Sequence, residues 1–165
     1  MKKAISLALC ALSIMGVLML SSCGSSDSGK LSTVKIYDAE IACHVDMDKV
    51  LDAFSDLEYE YSESISCAYN GMDKIYDFSD DGFIIYTYPV ENKDFVLEVA
   101  ISSEKITQRD GKVYVGMSKD DVISLFGSDY IEEGDTITYT VKDEQTMYFL
   151  LSDGVVTEYA ISVAE

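Results

Sequence analysis

The sequence predicts an α+β fold: two tandem helix-plus-antiparallel-strand repeats forming a two-layer fold with the helices on one side of the sheet. Three observations carry this expectation. "VDMDKVLDAFS" (45–55) lies over "MSKDDVISLFG" (117–127) without a gap. The strand-like runs that follow correspond as well, most closely "VLEVAIS" (96–102) with "VTEYAIS" (156–162), which share Val, Glu, Ala, Ile and Ser. Turn-forming clusters, "SDDG" (79–82), "ENKD" (91–94), "KDEQ" (142–145) and "SDG" (152–154), separate the runs as hairpins require.

In chain order, the first element is an export signal over 1–22. Lys2 and Lys3 form its charged start, Ala4 to Leu20 is apolar, and Ser21 and Ser22 are small. Leu20-Ser21-Ser22-Cys23 resembles the bacterial lipobox, which implies that Cys23 carries a diacylglyceryl anchor. The alternative is an uncleaved anchor helix. It is disfavoured because a span normally needs about 20 apolar residues, and the small polar residues around Cys23 end this run early. Two acyl chains give lasting attachment where one would not. Residues 23–32 are small and polar and read as a flexible leash.

Residues 33–103 form the first expected repeat and 104–165 the second, together one compact unit. Asp46 and Ser118 are N-caps, and Ser118 has Asp121 three residues on, as in a capping box. Val50, Leu51 and Phe54 in one helix, and Val122, Ile123 and Phe126 in the other, give each an apolar face. Gly127 closes the second helix. Strand alternation assigns Tyr76, Phe78, Ile84, Tyr86, Leu97, Val99 and Ile101 to the helix side in the first repeat. In the second it assigns Ile137, Tyr139, Val141, Met147, Phe149, Tyr159 and Ile161. The opposite side then carries Ile75, Ile85, Thr87, Glu98, Tyr148, Leu150 and Glu158, the expected partner-binding residues. Contiguous apolar area on an open face marks an interaction surface.

Composition sets limits on function. The formal charge of −18 becomes more negative still once Lys2 and Lys3 leave with the signal, so nucleic acid and anionic headgroups repel the chain. Contact with the membrane is therefore expected through the lipid anchor only. A hydrophobic content of 48 %, with 12 Tyr and 6 Phe, is ample for a packed core. Cys10 leaves with the signal and Cys23 carries lipid, so Cys43 and Cys67 are expected to form a disulfide outside the cytoplasm. Closing a loop of about 25 residues would stabilise the fold by roughly 3.5 kcal/mol in the chain-entropy model. The competing reading, Cys43 with His44 as nucleophile and base, is disfavoured, because neighbours in an extended segment point to opposite sides and a catalytic pair must meet side chain to side chain.

Other chemistry is sparse. "DFSDDG" (77–82) lacks the spacing of a calcium loop, and Asp120-Asp121 sits where negative charge suits a helix start. No phosphate loop, nucleophile elbow or zinc spacing occurs in the sequence. No catalytic residue, metal or cofactor is expected, and the chain is read as a non-enzyme.

"VGMSKDDVISLFG" (115–127), followed by strands ending in "FLLSDGVVTEYAIS" (149–162), resembles the helix-and-sheet unit of the β-lactamase-inhibitor-protein-like and SmpA/OmlA-like families. Two such units in tandem are similar to the inhibitor, whose concave sheet grips a protein enzyme. The segment from Ser66 to Tyr76, with the lipobox, also resembles lipoproteins of Gram-positive gut bacteria. The resemblance implies a lipid-anchored protein on the extracytoplasmic face of the bacterial cell membrane, acting as a non-catalytic protein-binding or envelope-scaffold module. The alternatives are an inhibitor of a secreted or envelope enzyme, then a small-ligand carrier or hydrolase. The expected partner is a protein of the envelope, of unknown identity.

Overall fold

The structure is a computed structural model and describes residues 30–142 and 144–164. The expected export signal, Cys23 and most of the leash lie outside the described residues.

A hairpin of β1 (Thr33–Ile36) and β2 (Ala39–Ala42) leads into helix α1 (Met47–Ala53). Strands β3 (Glu60–Ile65), β4 (Met72–Phe78), β5 (Phe83–Val90) and β6 (Lys93–Ile101) follow. After a connector come α2 (Lys119–Phe126), β7 (Ile131–Glu133), β8 (Thr136–Thr140), β9 (Gln145–Ser152) and β10 (Val155–Val163). Strands β3 to β10 form one antiparallel sheet of eight, ordered β3-β4-β5-β6-β10-β9-β8-β7.

The α+β expectation does not hold. The fold is mostly β, and among the described residues its two helices are 7 and 8 residues long. Two turns of helix cannot cover a sheet of this width, so the helices are not a layer of their own. The β1–β2 hairpin and the connector 102–118 cover the rest. Val34, Ile36, Ile41, Ile106 and Val113 are all buried with the helices against one sheet face. Gln108 fastens these two pieces together. Its side chain accepts from Lys35 N at 2.7 Å and donates to Lys35 O at 2.9 Å, as a neighbouring strand would. Tyr159 adds a bond from its hydroxyl to Ile106 O at 2.9 Å.

Both helices form for the reasons visible in the sequence. Asp46 caps α1 by accepting from Asp48 N, and Ser118 and Asp121 bond each other's backbone N–H reciprocally at the start of α2. Gly127, at φ +88°, ends α2. Phe54 packs on Phe78 and Phe83 with ring centroids 5.7 and 5.3 Å apart, and Phe126 on Tyr139 and Phe149 at 5.7 and 5.5 Å.

Strand β5 faces the opposite way from the expectation. Phe83 stacks on Phe78 at 4.6 Å under Phe54, so Phe83, Ile85 and Thr87 point to the helix side and Ile84 and Tyr86 away from it. The run Phe83-Ile84-Ile85-Tyr86 is apolar throughout, so alternation alone cannot set its parity. A bulge where β6 meets β5 between Tyr86 and Thr87 leaves Leu97 unpaired and moves it out of the helix-facing set.

The expected disulfide is absent. Cys43 and Cys67 are both free thiols, Cys43 buried and Cys67 exposed. Cys43 lies in the core beyond β2, whereas Cys67 sits in the β3–β4 turn, where Ser66 Oγ accepts from the N–H of Ala68 and Tyr69. The segment leading to Cys67 is edge strand β3, held to β4 by ladder bonds over its whole length.

Candidate functional site on the open sheet face

The face away from the helices is set by register. Ala100 pairs with Ala160, and Ala160 with Tyr148, across the central strands β6, β10 and β9. Because both alanines end at Cβ, the Tyr148 side chain can lie across β10 and reach β6. Its hydroxyl is 2.8 Å from Glu98 Oε1 and 3.3 Å from Glu158 Oε1. A phenol has a single O–H, so it donates to one of these carboxylates at a time.

The electrostatics follow from that crowding. Burial pushes the Glu98 carboxyl above the usual carboxylate range; hydrogen bonds from Tyr148 and Ser162 pull it back in part, and the charge of Glu158 adds to the rise. Burial also drives the Tyr148 phenol well above its ordinary value, with both carboxylates reinforcing the effect. Tyr86, beside Glu98 in the ladder, is raised by burial and then by Glu98 and Glu158.

Exposed apolar side chains lie on either side of this polar centre. Ile75 is 36 % exposed on one side and Leu150 39 % on the other. Ile75, Tyr86 and Leu97 line a depression of about 270 Å³ together with polar and charged residues, Ser62, Asp73 and Lys74 among them. A larger hollow of about 550 Å³ lies at the β4–β5 turn; it is lined by residues of both charge signs, Lys35, Lys105, Asp80 and Asp81 among them, and there Tyr37 donates to Asp81.

Of the seven expected binding residues, the structure places Ile75, Glu98, Tyr148, Leu150 and Glu158 on this face. Ile85 and Thr87 are corrections. They are 0 % and 1 % exposed, and the inward stack of Phe83 is what turns them to the helix side. Glu98 and Glu158 converge under one hydroxyl. The sequence reading missed Ile84, Tyr86 and Leu97. A usable signal was present: "EVA" at 98–100 and "EYA" at 158–160 put a glutamate and a small residue on one face of adjacent strands. Cys43 and His44 do not meet as a pair, since the thiol is buried while the His44 Nδ1 lies 2.7 Å from the Tyr88 hydroxyl.

Compared with known proteins, the chain matches no protein-family model, no curated protein and no solved structure.

Proposed function

We propose that the chain is a lipid-anchored, extracytoplasmic module that binds a protein of the envelope, without catalysis, through the helix-free face of its sheet. The observation that carries this reading is the exposed pair Ile75 and Leu150 on either side of Tyr86 and Tyr148, on a face that no element of the described residues covers. Apolar and aromatic side chains gathered on an exposed surface are what interaction sites are made of. The signal-like start and the lipobox-like Leu20-Ser21-Ser22-Cys23 support the location. Among the described residues, no helix is long and apolar enough to cross a membrane. Inhibition of a secreted or envelope enzyme is the specific form of binding that the resemblance favours.

A photo-crosslinker placed at Leu150 in the intact envelope should capture a partner protein, and the same group at Asp52, exposed on α1, should not. Capture from Asp52 alone would move the site to the helix side. Processing is tested separately: Cys23→Ser should accumulate an unprocessed precursor.

A further inference from the structure

We propose that this face takes a cationic partner, a polypeptide surface presenting arginine or lysine among apolar side chains. The inference rests on the binding role proposed above and adds the partner's chemistry. Strand register puts Glu60, Asp73, Asp77, Glu98, Glu133 and Glu158 on the open face together with Ile75, Ile84, Tyr86, Tyr148 and Leu150. Among the described residues, the one lysine that strand register puts on this side, Lys93, is already engaged by a carboxylate, that of Asp46. Lys74 has the other parity and is paired with Asp94 at 2.7 Å.

From within, the carboxylates on this face receive hydroxyl donors only in part, Asp77 from Ser79 and Glu98 from Tyr148 and Ser162. Glu60 and Asp77 are directly opposite each other in the β3–β4 ladder, a like-charge pairing that destabilises a sheet. Glu98 and Glu158 share one hydroxyl proton, so one of them always lacks that donor. A guanidinium or ammonium group seated there supplies the missing donors and the missing charge together. Other occupants fit less well. A second copy of this chain or an anionic lipid surface brings more negative charge, and a bare metal ion leaves Ile75 and Leu150 in water.

The test uses the full chain in neutral detergent and a fluorescent peptide of alternating arginine and leucine, with matched peptides carrying glutamine or glutamate in place of arginine. The arginine peptide should bind, more weakly as salt is raised, and the other two should bind at least about tenfold less tightly. Glu98→Gln with Glu158→Gln should weaken arginine-peptide binding by about tenfold. Asp52→Asn with Asp56→Asn, which removes the same charge from the helix side, should change it by less than about twofold. If the glutamate pair cannot be replaced without unfolding, as thermal melting would show, Glu60→Gln with Asp77→Asn takes its place with the same expectation.

Equal binding of the glutamine peptide, equal weakening by the helix-side change, or binding of phosphatidylglycerol vesicles in place of the peptide would each overturn the proposal. The two levels separate through Leu150→Lys. If that change abolishes binding of a glutamine peptide that binds as well as the arginine one, the face is a binding face and only the cationic partner fails. If it leaves partner crosslinking in the envelope intact, the binding role of the face fails.

Discussion

Tyr148 on β9 reaches across β10 to hydrogen-bond Glu98 on β6, 2.8 Å away, so one side chain spans the seam at which the two halves of the sheet join. Tyr148→Phe removes the shared donor and leaves two half-buried carboxylates facing each other. A loss of about 1–3 kcal/mol is expected, measurable as a lower denaturation midpoint with an unchanged slope. An unchanged midpoint would mean that water replaces the phenol at no cost.

The raised carboxyl of Glu98 gives stability an unusual pH dependence. A carboxyl whose folded value lies above its unfolded one holds its proton longer in the native state. Its contribution is therefore fully favourable below the unfolded value of about 4.5 and is lost as pH rises through the folded value. Asp46, held below its usual range chiefly by the hydrogen bond from Lys93, works in the opposite sense, its contribution being lost as pH falls. Glu98→Gln should raise the melting temperature at pH 8 and lose that advantage near pH 4. A gain of the same size at both pH values would separate the effect from ionisation.

Gly82 closes the β4–β5 turn at φ +83°, and a Cβ there would stand 2.3 Å from Ser103 Cβ. Gly82 O also accepts from Ser102 N and Ser103 N. Gly82→Ala meets a steric clash and a disfavoured backbone together, with an expected cost of about 2–4 kcal/mol in chemical denaturation. Gly134→Ala, with φ +59° and open space around it, should cost less, about 1 kcal/mol.

Thiol chemistry distinguishes the two cysteines. Burial, reinforced by the charge of Glu98, pushes the Cys43 thiol up to about 12, while Cys67 is exposed. Native alkylation followed by peptide mapping should find Cys67 modified and Cys43 untouched until the chain is unfolded. Failure to modify either thiol after unfolding without reductant would restore the bridge.

Parts of this fold were legible in the residues, and the limits are physical. The caps at Asp46 and Ser118 were readable because a cap is a local hydrogen bond between neighbours in sequence. The helix-side set in β8, β9 and β10 was readable because polar residues such as Thr138 and Glu158 interrupt the apolar ones. Strand β3 was not, since "EYSESI" is exposed at every position and has no buried face to impose alternation. The parity of β5 depended on one stacking contact, Phe83 on Phe78, and the place of Leu97 on a bulge. Neither is a property of the local sequence. The class itself was misjudged because two short helices with good caps look like a layer until the hairpin at 33–42 is seen to share their work. Within the candidate site, Glu98, Glu158 and Tyr148 were placed on the open face by alternation. Their convergence required knowing that β6 and β10 are neighbours.

The position of β10 also fixes the order in which the molecule can be completed. Residues 155–163 emerge after every other described strand, yet they lie between β6 and β9 in the middle of the sheet. Until they arrive, β6 and β9 both present unpaired backbone edges, and Tyr159 and Ile161 are missing from the core. A chain synthesised from its N-terminus therefore waits, half-assembled, for residues 155–163. Stalling or truncation before Val155 leaves two open sheets prone to aggregate.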